Sequence, residues 1–197
     1  MAEMDRPNEL CIIKNSLYQS HDIVKKTVKP GDIVIDATCG NGGDTLFLAG
    51  LTGEGGKVYS FDIQQEALDR ALEKLKKEGM ETRVELIHDS HARMDEYVKD
   101  RVKCVMFNLG YLPGGDHSIG TRGESTILAV QKAMELVIVN GIITIVIYYG
   151  GDSGFDEKEQ VLEYIKTIDC RRFTVSMTKF VNQVNCPPIL VCIEKLF

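Results

Sequence analysis

The amino-acid sequence predicts an α/β fold, a doubly wound and mostly parallel sheet of seven strands with an antiparallel final strand and helices on both faces. Two observations lead to this prediction. Short apolar runs alternate with amphipathic segments from residue 33 to residue 167. The last two apolar runs are then joined by the short segment 181–188, which suits an antiparallel return better than a helical crossover.

In the first part of the chain, turn residues separate elements of clear periodicity. Ser20 is a candidate N-cap, which predicts a helix over 20–28. The apolar run 33–36 predicts the first strand, and the residues after the next glycines open a helix over 44–51. The second strand is expected over 57–61, because aromatic and β-branched residues dominate that run.

The middle of the chain continues this alternation. Alanine and leucine recur at helical spacing over 64–78, and Gly79 is expected to end that helix. A third strand is expected over 84–88, followed by a short helix over 92–98. The apolar centre of 103–108 predicts a fourth strand that helices cover on both faces.

After a loop rich in glycine, the pattern repeats once more and then changes. A helix over 124–139 leads into the most apolar run of the chain, 141–149, which we expect to be the fifth strand. A helix over 157–167 precedes two final strands, near 173–180 and 189–194.

Composition narrows the class of protein. With 197 residues, of which 44% are hydrophobic, one domain with a substantial core is expected. No apolar run reaches the roughly 18–20 residues of a membrane span, and residues 1–7 lack the features of a signal peptide. The six cysteines are scattered without zinc-like spacing, so we expect a reduced, cytoplasmic protein without a bound metal or a membrane contact. The net charge of −6 argues against broad electrostatic attraction to nucleic acid.

The segment VIDATCGNGGDT, residues 34–45, contains the strongest functional signal. The first strand ends in Asp36 and passes directly into a turn rich in glycine, which allows close approach of the backbone to a ligand. The second strand ends in Asp62, at about the 20-residue offset of a carboxylate that binds a ribose. These features predict a cofactor that contains a nucleoside, although a capped helix and a tight turn without ligand would also explain the glycines.

The charges in this turn favour S-adenosylmethionine over NAD. The run from Gly40 to Asp44 departs from the dinucleotide pattern, and Asp36 and Asp44 would repel a pyrophosphate. A cationic sulfonium with an α-amino group would be attracted instead. We expect its amino end to meet Asp36 and the carbonyls of the turn, and Asp62 to accept both ribose hydroxyls.

The segment after the fourth strand, FNLGYLPGGDHS, residues 107–118, is the candidate catalytic loop. The side-chain and backbone oxygens near Asn108 can accept hydrogen bonds from a nitrogen nucleophile and orient its lone pair. Tyr111 can stack on a base, or it is an ordinary packing aromatic. An alkyl amine attacks only when neutral, and His117 or Asp116 is a candidate acceptor of its proton.

These motifs resemble the class I S-adenosylmethionine-dependent methyltransferases, a family with a Rossmann-like fold. DATCGNGGDT resembles the first motif of that family and FDIQ, residues 61–64, the second. The resemblance implies that Asp89 faces the adenine amino group, with Ser90 and His91 adjacent. A histidine at the end of a strand whose ring is satisfied by the protein is the alternative for His91.

A closer resemblance involves IKNSLYQSHD, DATCGNGGDT, FNLGYLPGGDHS, VIYYGG and NCPPILVCIEK. Together these segments are similar to a bacterial family labelled "putative rRNA methylase", whose members methylate the 5-aminomethyl group of a wobble uridine, often 2-thiolated, in tRNA. The resemblance implies tRNA as a partner, with recognition limited to the anticodon arm. An rRNA or small-molecule methyltransferase and a noncatalytic S-adenosylmethionine-binding protein are the alternatives.

The expected site and domain organisation can now be stated in full. One methyltransferase domain is expected over 1–197, with 1–30 as a helical extension that covers the cofactor and substrate site; a homodimer is allowed. The expected catalytic residues are Asn108, Tyr111 and His117. The expected cofactor-binding residues are Asp36, Gly40, Asn41, Gly43, Asp44, Asp62, Gln64, Asp89, Ser90 and His91.

Overall fold

The structure is a computed structural model that describes residues 11–110, 123–149, 154–184 and 186–197. The strands are β1 (Ile33–Asp36), β2 (Lys57–Asp62), β3 (Val84–His88), β4 (Val102–Leu109), β5 (Val137–Ile147), β6 (Phe173–Thr178) and β7 (Ile189–Lys195). The α-helices are α1 (Ser16–Thr27), α2 (Gly43–Thr52), α3 (Gln65–Lys77), α4 (Met94–Tyr97), α5 (Gly123–Leu136) and α6 (Gly154–Lys166). Short 3₁₀ turns cover Glu81–Arg83 and His91–Arg93.

The seven strands form one sheet in the order β3-β2-β1-β4-β5-β7-β6. All neighbouring pairs are parallel except β5–β7 and β6–β7, so β7 alone among these strands runs against the rest. The predicted doubly wound, mostly parallel sheet with an antiparallel final strand is therefore confirmed. Strand order reverses between β1 and β4, and the carboxyl ends of these two strands flank the crevice where ligands bind in such sheets.

Helices cover both faces of the sheet, and alternate residues of each strand enter different cores. In β1, Val34 belongs to the apolar cluster on one face and Ile35 to the cluster on the other. In β4, Met106 and Phe107 divide in the same way. Because both faces are buried, the central strands need apolar side chains throughout, which explains their near-continuous apolar sequence.

The predicted start of α1 is wrong. The helix begins at Ser16, and Asn15 is its N-cap, since the Asn15 side chain accepts a hydrogen bond from the Tyr18 backbone amide at 3.0 Å. Ser20 lies buried inside the helix, and its hydroxyl donates to the Leu17 carbonyl at 2.7 Å. Both Asn and Ser are good N-caps, and the packing of the preceding turn decides between them.

The boundary between α5 and β5 also differs from the prediction of a helix over 124–139. The helix ends at Leu136, and Val137 already pairs with Val102 in the sheet. A local irregularity follows, in which Asn140 has a positive φ of 57°. A Cβ on Gly141 would lie 2.5 Å from the Val137 side chain, so a glycine is required there. Backbone pairing with β4 thus replaces the last expected helical turn.

Three features of the structure concern membrane spans, metal ligands and buried cysteines. None of the helices in the described ranges is long and apolar enough to cross a membrane. Those same ranges contain no group of three or more His, Cys, Asp or Glu residues suited to a metal ion. Cys104 and Cys192 lie buried in β4 and β7, where burial raises the pKa of each thiol and keeps it protonated.

Candidate active site

The glycine turn after β1 is tightly held between β2 and α3. Gly40 and Gly42 have positive φ values of 50° and 71°, a conformation that favours glycine. A Cβ on Gly42 would lie 2.7 Å from the Cβ of Ala71 in α3, so only a glycine fits. Gly43 opens α2 and has open space around its Cα. The turn therefore presents backbone rather than side chains to the crevice.

Asp62 fastens this turn to the end of β2. Its Oδ2 atom accepts a hydrogen bond from the Gly40 amide at 2.8 Å, and its Oδ1 atom accepts from the Gln64 amide at 2.9 Å. Gln64 is in turn the N-cap residue of α3. Each carboxylate oxygen has a second lone pair, so Asp62 can still accept hydrogen bonds from a diol. The carboxylate is thus oriented before any ligand arrives.

Asp36 lies fully buried beneath the turn rather than on its surface. Its Oδ2 atom accepts a hydrogen bond from the Thr45 hydroxyl at 2.6 Å, and its Oδ1 atom accepts from the Thr38 amide at 3.1 Å. Burial, reinforced by the negative charge of Asp44, raises the pKa of Asp36 to about 7. In the described residues Asp36 binds the turn itself, and its direct contact with a cofactor stays a prediction.

Asp44, in the first turn of α2, connects three elements. Its Oδ1 atom is 2.7 Å from Nε2 of His21 in α1, and its Oδ2 atom accepts a hydrogen bond from the Asn108 side-chain amide in β4. The sequence reasoning missed His21. A signal was available, because His21 lies within IKNSLYQSHD, one of the segments that support the family resemblance.

Asn108 is held at the end of β4 in a defined orientation. Its backbone amide donates to the Thr38 hydroxyl at 2.7 Å, and its side-chain Nδ2 donates to Asp44. Its Oδ1 atom is buried and has no hydrogen-bond partner among the residues that the structure describes. Unpartnered buried acceptors are rare in folded proteins, and one at a sheet's ligand-binding edge marks a position for an incoming donor.

The other two expected catalytic residues, Tyr111 and His117, lie outside the described residues, as does Asp116. Tyr148 follows β5, and its amide donates to the Leu109 carbonyl at 3.0 Å. Burial raises the pKa of the Tyr148 phenol, as does the charge of Asp44. Tyr148 therefore stands beside the Asn108 end of β4.

The segment after β3 is tied together by local contacts. Asp89 accepts hydrogen bonds from the Ser90 amide at 2.7 Å, from Arg93 at 2.7 Å and from the Tyr97 hydroxyl at 2.6 Å. The Tyr97 hydrogen bond is the main reason why the pKa of Asp89 is lowered. Ser90 is an N-cap, and its hydroxyl accepts from the Ala92 amide at 3.2 Å.

His91 is buried and connects the end of β3 to the end of β1. Its Nδ1 atom is 2.9 Å from the Ala37 carbonyl, so this nitrogen must donate, and its ring meets Phe107 edge-on. Burial lowers the pKa of His91, which favours the neutral ring. This geometry matches the alternative of a strand-end histidine satisfied by the protein, and a role for His91 in cofactor binding stays a prediction.

Those predicted site residues that the structure describes gather at one edge of the sheet. Asp36 is the last residue of β1, and Asp62 is the last residue of β2. Asn108 is the residue before the end of β4, and Asp89 follows β3 directly. Asn41 lies in the glycine turn, where its side-chain oxygen accepts a hydrogen bond from Arg70 at 3.3 Å. The arrangement can hold an elongated ligand across β3, β2 and β1, with one end at Asn108.

Comparison with known proteins identifies the family of the chain. A family model described as "Putative rRNA methylase" matches residues 58–194. A relative from Arabidopsis thaliana, named "tRNA (mnm(5)s(2)U34)-methyltransferase, chloroplastic", is 39% identical over 162 residues. That match covers 75% of this chain and 58% of the relative, so the chain spans less than two thirds of the relative's length.

Two solved structures share the whole architecture. A "putative rRNA-methylase" from Clostridium thermocellum is 61% identical, with a TM-score of 0.93, over 94% of this chain and 100% of that one. A "putative methyltransferase" from Streptococcus mutans, in complex with SAH, is 40% identical, with a TM-score of 0.87 and the same two coverages. The chain therefore belongs to the family described as "Putative rRNA methylase", as the sequence motifs predicted.

Proposed function

We propose that this protein is an S-adenosylmethionine-dependent methyltransferase that N-methylates the 5-aminomethyl group of uridine or 2-thiouridine at the wobble position of tRNA. One observation supports the chemistry most directly. The buried Oδ1 atom of Asn108 has no partner among the described residues and lies at the ligand-binding edge of the sheet, so a donor from the substrate would satisfy it.

The names of similar proteins support the substrate and the cofactor. The Arabidopsis relative is named as a methyltransferase for a modified uridine at position 34 of tRNA, and the Streptococcus structure contains SAH. Because the chain spans 58% of the Arabidopsis relative, the transfer of its substrate to this protein is part of the proposal.

The residues at the sheet edge fit S-adenosylmethionine. Asp62 is oriented to accept from the ribose diol, and the open space at Gly43 leaves room for the methionine part beside the backbone of the turn. Asp44, with Asp36 buried beneath the turn, places carboxyl groups rather than cations at this end of the crevice, which suits the sulfonium and disfavours a pyrophosphate. When bound, the cofactor would supply an electrophilic methyl group.

The protein's own contribution to the reaction is to orient the amine. A neutral amine that donates one N–H to Asn108 Oδ1 has its lone pair held in a fixed direction, and this alignment contributes to the rate. The neighbouring Leu109 carbonyl already accepts a hydrogen bond from the Tyr148 amide. Within the described part of the chain, Asn108 Oδ1 is a buried acceptor at this edge that has no partner, and we assign it to the substrate amine. Tyr111 as a stacking platform and His117 or Asp116 as proton acceptor complete the proposal.

The decisive experiment is transfer of a labelled methyl group by the purified protein, followed by mass spectrometry of nucleosides. Total tRNA from cells lacking the protein, which should accumulate 5-aminomethyl-2-thiouridine, is expected to accept the methyl group. Labelling of rRNA or metabolites in place of tRNA would indicate the alternative substrates. Binding of the cofactor without transfer to any of these pools would indicate a noncatalytic protein.

The partner and location follow from the same proposal. A protein of this size is expected to contact the anticodon arm rather than the whole tRNA, so a stem-loop of that arm should serve as a substrate. We expect activity in the cytoplasm without an added metal, and therefore no loss of rate in the presence of a chelator. Sedimentation at assay concentration would show whether the active form is a homodimer.

A further inference from the structure

We propose that His21, acting through Asp44, is a positioning residue that fixes the side-chain amide of Asn108 in the orientation needed by the substrate amine. This inference rests on the proposed function and deepens it. The observation behind it is a chain of contacts from α1 through α2 to β4, in which Asp44 Oδ1 meets His21 Nε2 at 2.7 Å and Asp44 Oδ2 meets Asn108 Nδ2.

The chemistry of these groups determines the direction of each hydrogen bond. An ionised carboxylate only accepts, so both His21 Nε2 and Asn108 Nδ2 must donate to Asp44. Rotating the Asn108 amide by half a turn would bring its oxygen against the carboxylate, and two acceptors would then face each other. The contact with Asp44 therefore fixes which of the two amide positions Oδ1 of Asn108 occupies, and leaves that oxygen free of Asp44.

His21 in turn determines where the carboxylate lies. The His21 ring stacks on Phe47 with centroids 4.0 Å apart and planes 11° apart, and its side chain is only 16% exposed. Phe47 and Asp44 are one turn apart in α2, so the stack and the hydrogen bond align the ring together. Without this donor, Asp44 Oδ1 loses the contact that ties it to α1, and the carboxylate is no longer held from that side.

The role assigned to His21 can be separated from simple support of α1. The helix is anchored independently, since Val24 is fully buried in the core and the Ser16 hydroxyl donates to the Pro188 carbonyl. An ion pair between Lys14 and Asp22 at 2.7 Å also ties the segment before α1 to the middle of the helix. Losing the single hydrogen bond from His21 should therefore leave α1 docked.

Two substitutions test the inference. His21→Phe keeps a ring to stack on Phe47 but removes the donor, whereas His21→Gln retains an N–H of similar reach. We expect His21→Phe to lower kcat about tenfold, with KM for the cofactor within about twofold, because a hydrogen bond to a charged group is lost. His21→Gln should recover most of kcat.

A matched control is Thr27→Val in the same helix, since the Thr27 hydroxyl bonds only within the helix, to the Ile23 carbonyl at 3.0 Å. The control should keep the wild-type kcat. The inference is overturned if His21→Phe keeps the wild-type kcat, or if it changes only KM for the cofactor. It is also overturned if the kcat of His21→Gln falls as far as that of His21→Phe.

A spectroscopic measurement separates this inference from the proposed function. In the ¹⁵N-labelled full chain, the side-chain amide resonances of Asn108 report its hydrogen bond to Asp44. They should move in His21→Phe and return towards the wild-type positions in His21→Gln. If the wild-type protein methylates no tRNA, the proposed function fails. The resonances still test whether His21 positions Asn108 through Asp44. Unchanged Asn108 resonances in His21→Phe would overturn the positioning role of His21, whether or not the protein methylates tRNA.

Discussion

The two halves of the candidate site differ in how their polar groups are satisfied. On the β2–β3 side, Asp62 and Asp89 already accept hydrogen bonds from residues close in the chain or from the adjacent turn, and His91 bonds to the Ala37 carbonyl. On the β1–β4 side, Asp44 depends on partners from α1 and β4, and the Oδ1 atom of Asn108 is left without a partner among the described residues.

Under the proposed function, the β2–β3 side is the half that binds the cofactor and the β1–β4 side is the half that orients the reacting amine. A binding half whose groups are already hydrogen-bonded is rigid before the ligand arrives, so little ordering accompanies binding. A reacting half with an unpartnered buried acceptor is complete only when a donor from the substrate fills it. Four measurements test this difference between the two halves.

The largest effect is expected from Asn108→Ala, which removes the acceptor from the reacting half. We expect kcat to fall about 100-fold, because the amine loses its orientation, while affinity for the cofactor changes little. Asn182→Ala, at an exposed position of the β6–β7 connection, is the matched control and should keep full activity. Single-turnover rates measure the methyl-transfer step, and calorimetry on the same samples measures affinity for the cofactor. A loss confined to cofactor affinity would place Asn108 in the binding half instead.

The next effect concerns the turn that lies between the halves. Gly42→Ala should lower the free energy of unfolding by about 2 kcal/mol or more, because a Cβ there meets Ala71 at 2.7 Å and φ is positive. Gly50→Ala, in α2 with open space around it, should raise stability by up to about 1 kcal/mol. Urea unfolding measures both. Equal effects of the two substitutions would contradict the tight packing of the turn.

A third test uses the pH dependence of stability. The pKa of Asp36 is raised from 3.8 to about 7 in the folded state, so the folded protein binds more protons than the unfolded chain between these values. Stability from this group is present below about pH 4 and is lost as pH rises towards 7.

Asp36→Asn mimics the protonated side chain and should remove this loss. Between pH 5 and pH 7 the wild-type free energy of unfolding should fall by about 1 to 2 kcal/mol relative to the variant. Parallel urea titrations at several pH values measure the difference. Identical pH profiles for the two proteins would show that Asp36 is ionised throughout this range.

The smallest effect is expected from Asp62→Asn in the binding half. The neutral amide weakens the hydrogen bonds from the Gly40 and Gln64 amides and those to a ribose, so affinity for the cofactor should fall about fivefold. Asp69→Asn, at an exposed position of α3, is the control and should bind normally. Calorimetric titration measures the dissociation constant of the cofactor for each variant. A fall in kcat with unchanged affinity would erase the distinction between the halves.

Much of the fold could be predicted from sequence because its signals are local. The strands β1 and β3 were predicted with their observed bounds, and Gly79 ends its helix region with a positive φ of 65°. The larger errors fell at the start of α1, at the junction of α5 with β5, and at the start of α6, which begins at Gly154 rather than at residue 157. At each of these places two local solutions are close in energy, and contacts with distant segments choose between them.

The sequence by itself determined which residues reach the site, because the carboxyl ends of parallel strands meet at one edge, and Asp36, Asp62 and Asn108 lie at those ends. Only the tertiary structure decided what each of them does there. It buried Asp36 under the turn and joined Asp44 to His21, 23 residues away, and to Asn108, 64 residues away. The physical reason is that a hydrogen bond depends on distance and angle, which are set by how helices dock on the sheet and not by the order of residues along the chain.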